Sequence, residues 1–169
     1  MRPMDPDFAT YVRARQHALL RAAYLVCGDV HRAEDLLQQA FEKLALHWDT
    51  VRHGHPDAFV RRILYRDAVS AWRRTRREQL TVALPEVSYA ADDVHVEARV
   101  ELERALARLT PKQRAVLVLR FFEDRSEADT AEVLGVSVGT VKSQTHTALQ
   151  RVRELVPHLG PTLTGRETS

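Results

Sequence analysis

Residues 126–155 read SEADTAEVLGVSVGTVKSQTHTALQRVREL, and this stretch predicts two helices meeting at a tight corner. Ser126 is placed to cap the first, with Asp129 three residues on able to reach back in the manner of a capping box. Gly135 should end that helix, because a left-handed backbone carries little steric penalty in glycine. Ser137 then caps the second. Along it Val141, Thr145, Ala148 and Val152 recur at spacings of four, three and four, which puts them on one inward stripe with Leu149 beside it. The other face is polar. It carries Thr140, Lys142, Ser143, Gln144, His146 and Thr147 near the helix start, then Gln150, Arg151 and Arg153, with no acid from Ser137 through Arg153. A short helix, a brief turn with Gly and a second helix with a polar-to-basic leading face is the helix-turn-helix arrangement, whose second helix lies in the DNA major groove. Any two amphipathic helices joined at a Gly would turn in a similar way. The choice of groups favours DNA: Thr, Ser, Gln, His and Lys bond base edges or phosphates, whereas an ordinary solvated face is rich in mixed Glu and Lys.

The whole chain has 169 residues, enough for one large or two small domains, and the pattern favours two. The single Cys27 excludes an internal disulfide framework. No apolar run approaches the roughly 20 residues that span a bilayer, so no membrane role is expected. The N-terminus, MRPMDPDF, carries acids and Pro and leads to no apolar segment, which argues against a secretory signal and for a cytoplasmic protein. A net charge of +2 hides a strong asymmetry. Residues 61–77 hold seven arginines (61, 62, 66, 73, 74, 76 and 77) against one acid, Asp67, while residues 81–97 hold four acids and no Lys or Arg. Basic segments suit phosphate and acidic segments avoid it, so the two stretches should have different partners.

Working toward the N-terminus, residues 7–27 read as a first helix ended by Gly28, and Asp29 caps a second over about 30–48. In that second helix Ala33, Leu36, Leu37, Ala40, Phe41, Leu44 and Ala45 form an apolar face, and Glu34, Asp35, Gln38, Gln39, Glu42 and Lys43 the opposite one. A loop over 49–57 precedes a third helix, 58 to about 80, in which Phe59, Ile63, Ala68 or Val69, and Trp72 are expected to face inward while the arginines line the outside. Trp48 and Trp72 each continue an apolar stripe and are read as core. Periodicity fails over about 81–95, an acidic linker with Pro85. Helix resumes over 96–109, and Thr110-Pro111 caps another over 112–122. Residues 157–169, with Pro and Gly, read as a frayed tail. The expected fold is all-α: one small helical domain over 1–80, the linker, and a second over 96–156.

Two stretches resemble known motifs. AEDLLQQAFEKL (33–44) is similar to the second helix of sigma-factor region 2, and LTPKQRAVLVLRFFEDRSEADTAEVLGVSVGTVKSQ (109–144) to region 4 of the extracytoplasmic-function (ECF) sigma factors, small members of the sigma-70 family. The order of region 2, acidic linker and region 4 also fits, with no third domain between. The resemblance implies a subunit that binds the RNA polymerase core and directs it to promoter DNA. Region 2 would dock on the clamp helices of the large polymerase subunit through Asp35, Gln38, Gln39 and Glu42, a set that is also compatible with a plain solvated face. Region 2 would take the -10 element through the loop carrying Arg52 and His53 and the helix carrying Arg62, Tyr65, Arg66, Arg73 and Arg74. Arginines along a strand's phosphates and an aromatic platform for an unstacked base suit that task on independent grounds. Region 4 would read the -35 element through Thr140, Lys142, Ser143, Gln144, His146 and Thr147. Many relatives carry Arg at the positions of Gln144 and Thr147, and Ile or Leu at that of Thr130, so this chain brings fewer charges to the groove. The linker resembles the segment that threads the polymerase active-site cleft, and a solvated tether would have the same composition.

Eight histidines give no ligand spacing on one helix face, so no metal and no cofactor are expected. Cys27 sits in an apolar run and reads as a small buried residue. There is no Gly-rich phosphate loop and no nucleophile elbow, so an enzyme is not expected. The sequence is silent on an anti-sigma protein that would mask these surfaces. The rival reading is a stand-alone helix-turn-helix regulator whose N-terminal half dimerises or senses a signal.

Overall fold

A computed structural model describes residues 5–75 and 93–157, with no side-chain description for 72–75 and 93–96. Among these residues the fold is all-α. Three helices form the N-terminal half: α1 (Pro6–Cys27), α2 (Val30–Val51) and α3 (Pro56–Thr75). Four form the C-terminal half: α4 (Asp93–Ala107), α5 (Pro111–Leu117), α6 (Glu127–Leu134) and α7 (Val138–Leu155), with a π turn over Val118–Phe122 after α5.

Local chemistry sets most of the boundaries. Asp5 caps α1 and Pro6 opens it, a position where a missing N–H is harmless. Gly28 closes it at φ 75°, and its N–H donates to the Tyr24 carbonyl. Asp29 accepts from the Arg32 N–H at 2.7 Å and starts α2. That helix runs three residues past the expected end, to Val51, so the predicted nine-residue loop shrinks to about one turn. Its expected apolar face is buried at Ala33, Leu36, Leu37, Ala40 and Leu44, whereas Ala45 is exposed. In the second half, Thr110 and Gln113 exchange both bonds of a capping box. The stretch 81–92 of the predicted linker, and 158–169 of the predicted tail, lie outside the described residues.

The two halves are not separate bodies. One apolar cluster holds Leu19, Val26, Leu37, Leu44, Val60 and Leu64 of the first half together with Ala115, Val118, Leu119 and Val133 of the second. Burying side chains of the Val and Leu kind stabilises by roughly 1.5–3 kcal/mol each, so this seam is an appreciable part of the fold's stability. Smaller clusters lie within the C-terminal half, one of them joining Val116, Ala131 and Val141 at the helix-turn-helix corner.

Helix α3 departs from the predicted register. Its deepest residues are Val60, Arg61, Leu64, Tyr65 and Ala68, with Phe59, Ile63 and Val69 only partly covered. The reason is position: α3 packs on α1 and α2 on one side and on α5 and α6 on the other, so it buries two stripes rather than one. Arg61, expected outside, is therefore 6% exposed.

Candidate nucleic-acid and polymerase surfaces

The helix-turn-helix corner has the caps and the stop that its sequence suggests, except that Asp129 reaches back to the Ser126 hydroxyl and not to its backbone N–H. Ser126 accepts from the Asp129 N–H at 3.0 Å, and its hydroxyl in turn donates to the Asp129 carboxylate at 2.7 Å. Gly135 takes φ 67°, and Ser137 accepts from the Thr140 N–H at 3.1 Å to start α7. Val141, Ala148, Leu149 and Val152 are buried, with Thr145 partly so. Thr140, Lys142, Ser143, His146 and Thr147 are exposed on the far side, and Gln144 is half-buried beside them. Glu127 of α6 lies 3.7 Å from Lys142, a loose pair that leaves the lysine able to turn to a phosphate. Thr130 is fully buried, and its hydroxyl finds no hydrogen-bond partner among the described residues.

On α2, Asp35, Gln38, Gln39 and Glu42 are all exposed along one stripe. Gln38 donates to Glu42 at 3.2 Å, and Lys43 next to the stripe pairs with Asp67 of α3 at 2.8 Å.

The expected -10 set is divided. Arg52 and His53 adjoin in the turn between α2 and α3, where Arg52 Nε donates to His53 Nε2 at 3.1 Å. Arg52 also pairs with the capping carboxylate of Asp5 at 2.7 Å, so its charge is already partly engaged. Arg62 and Arg66 stand on the face of α3 turned toward α6. Arg62 pairs with Glu132 at 2.8 Å, and a Cβ placed on Gly135 would fall 2.6 Å from Arg66 Nη2, so that guanidinium lies directly on the corner. Arg73 and Arg74 are in α3 without described side chains. Tyr65 needs correction. At 1% exposed it packs in the core and offers no face for a base in this arrangement. Burial, and then the nearby Glu123 carboxylate, push its phenol well above the ordinary range.

Sequence reasoning missed a charged network beneath these residues. Asp57 accepts from the Tyr11 hydroxyl at 2.7 Å and pairs with Arg15 and Arg61. Arg61 then reaches across to Glu123 at 2.8 Å, with both side chains under a tenth exposed. Burial works against the charge on Arg61, but Glu123 and Asp57 outweigh it and raise its pKa. Burial and then Asp57 likewise push the Tyr11 phenol up. The i, i+4 spacing of Asp57 and Arg61 was the available signal; Glu123, 62 residues away, gave none. Glu123 is aimed by unusual backbone: the π turn precedes it, and Asp124, the one non-Gly residue with positive φ among those described, follows at φ 54°. Arg114 of α5 is also buried, with its guanidinium against Gly28 at the C-terminal end of α1, where carbonyls carry partial negative charge. Burial lowers its pKa to about 10.

Comparison with known proteins matches these two halves to named regions. The family model for sigma-70 region 2 covers residues 11–78, and that for sigma-70 region 4 covers 99–152. The RNA polymerase sigma-E factor of Streptomyces coelicolor is 42% identical over 151 residues, spanning 88% of this chain and 85% of that protein. The chain belongs to the ECF sigma factors of the sigma-70 family. Another relative, the ECF RNA polymerase sigma factor SigM of Mycobacterium tuberculosis, is 36% identical over 156 residues, spanning 90% of this chain and 78% of its own. Among solved structures, the sigma factor RpoE in complex with the anti-sigma factor NepR from Bartonella quintana superposes with a TM-score of 0.71 at 26% identity, over 90% of this chain and 98% of that one. As a sigma factor, the protein works with RNA polymerase core and promoter DNA to direct transcription initiation. No helix among the described residues is long and apolar enough to cross a membrane, and no group of three or more His, Cys, Asp or Glu is placed to hold a metal there.

Proposed function

We propose that this sigma factor divides promoter recognition between its halves: the Asp35, Gln38, Gln39 and Glu42 stripe of α2 docks on the clamp helices of core polymerase, the arginines of α3 with Arg52 and His53 take the -10 strand, and α7 reads the -35 element. The observation that carries the reading is α7 itself. Its apolar stripe is fixed in the core while Thr140, Lys142, Ser143, His146 and Thr147 face solvent together, with Gln144 at their edge. Gln presents a donor and an acceptor suited to adenine, so Gln144 is the residue assigned to base reading, and Lys142 to phosphate. With no arginine in that leading set, the salt dependence of -35 binding is shallow. Tyr65 has no part in base stacking while the halves are packed together. The Bartonella relative is bound to an anti-sigma factor, which supports a partner of the same kind here, and action on polymerase supports a cytoplasmic location.

The test is reconstitution with core polymerase on a library of native promoters. Specific initiation is expected with the intact chain and a loss of roughly five- to 150-fold with Gln144→Ala on promoters carrying the -35 element, since one bidentate base contact contributes about 1–3 kcal/mol. Replacing the α2 stripe by Asp35→Ala with Gln39→Ala should weaken copurification with core and leave the circular dichroism unchanged. No initiation above core alone on any promoter would overturn the assignment.

A further inference from the structure

We propose that the cleft of about 280 Å³ between α3 and helices α5 to α7 is a binding site for a small amphipathic carboxylate, an anionic head on an aliphatic tail of about six to eight carbons. The inference goes beyond promoter recognition and does not depend on it.

The walls suit the two parts of such a ligand. Val69 of α3, Val116 of α5, Leu134 of α6 and Val136 in the turn after it line the cleft, and all but Val116 are only partly covered by the protein itself. A hydrocarbon tail that takes the place of water on such walls is favoured. Arg66 and Lys112 stand on the same lining, both exposed. Arg66 is held at the corner: its Nη2 lies 2.6 Å from where a Cβ on Gly135 would fall, and Gly135 separates Leu134 from Val136. A guanidinium there can take a carboxylate by two parallel bonds, and the ammonium adds a point charge. Ser70, Thr140 and Gln144 complete the lining, with hydroxyl and amide donors for the remaining carboxylate lone pairs.

Charge decides the sign of the head group. Among the described residues the lining holds no Asp or Glu, and no ion pair engages Arg66 or Lys112. Acids of the flanking helices pair elsewhere, Asp67 with Lys43, Glu132 with Arg62 and Glu127 with Lys142. Two cations without an acid between them favour an anion over a neutral or cationic occupant. Volume sets the tail. At the roughly 30 Å³ that one water takes in the liquid, the cleft holds about nine non-hydrogen atoms, as in a carboxylate of about seven carbons. A nucleotide would use the cations but meets no aromatic side chain on this lining for its base.

Isothermal titration calorimetry of the full chain, without DNA or polymerase, tests the site with octanoate, octanol and octylammonium, each kept below micelle formation. Octanoate is expected to bind at one site per chain and about tenfold or more tightly than either of the other head groups. From butanoate through hexanoate to octanoate the affinity should rise about fourfold for each buried methylene, then level off at decanoate, whose tail exceeds the cleft. Val69→Phe fills the cleft from a partly covered position and should abolish binding. Arg66→Gln with Lys112→Gln should bring octanoate down to the affinity of octanol, with circular dichroism checking that both variants keep their helices. The absence of saturable octanoate binding, equal affinities for the three head groups on the intact chain, or an octanoate affinity unchanged in Val69→Phe would each overturn the proposal. So would tighter binding of AMP than of octanoate.

Discussion

Helices α3 and α7 both carry the groups assigned to DNA, yet they present them in opposite ways. On α7 the polar set faces solvent and the apolar stripe faces the core, so the helix has one inside and one outside. On α3 part of the cationic face is itself a packing surface: Arg61 is buried against Glu123 and Arg62 is half-covered beside Glu132, while Arg66 is exposed. Two of the α3 arginines, Arg61 and Arg62, already pair with acids of the C-terminal half.

The sharpest way to break this contrast is Arg61→Ala. It leaves Glu123 buried beside a vacancy and should destabilise the chain by about 3–5 kcal/mol, read from urea unfolding midpoints. Replacing both partners with apolar residues, Arg61→Met with Glu123→Leu, should recover most of that loss. A loss under 1 kcal/mol for the single change would mean that the pair is solvated and that α3 is as open as α7.

Alkaline titration probes the same network. Tyr11 and Tyr65 hold their protons above the ordinary phenol value of 10.0, whereas the unfolded chain releases them near it. The folded state then binds more protons than the unfolded one, so the stability from these groups is complete below pH 10 and falls as pH rises beyond it. Thermal melts between pH 9 and about 11.5 should show the decline, and tyrosinate absorbance from these two phenols should appear only with unfolding. Normal ionisation of both in the folded chain would contradict the packing around Asp57 and Glu123.

Within the helix-turn-helix the effects are smaller. Thr130→Val removes a buried hydroxyl without a described partner and should stabilise by about 1 kcal/mol, readable as a rise in melting temperature. Ser137→Ala deletes the cap of α7 and should cost about 1 kcal/mol, with fraying of the same turn that carries Thr140 in amide exchange. Smallest is Arg62→Ala. Its pair with Glu132 is 40% and 63% exposed at the two side chains, so a stability loss of roughly 0.2–1 kcal/mol is expected, fading with added salt. A larger loss would make Arg62 a structural residue, on a par with Arg61.

The amino-acid sequence alone determined what depends on neighbours along the chain. The caps at Asp29, Thr110, Ser126 and Ser137, the stops at Gly28 and Gly135, and the polar face of α7 follow from hydrogen bonds and backbone preferences that span three or four residues. The tertiary structure decided which face of α3 is hidden, that Tyr65 is core rather than platform, and that Arg61 meets an acid 62 positions away. Those outcomes depend on a helix having two partners instead of one. Periodicity records that a stripe is apolar, but a second seam formed with residues more than 40 positions further along the chain leaves its evidence where no local window reaches.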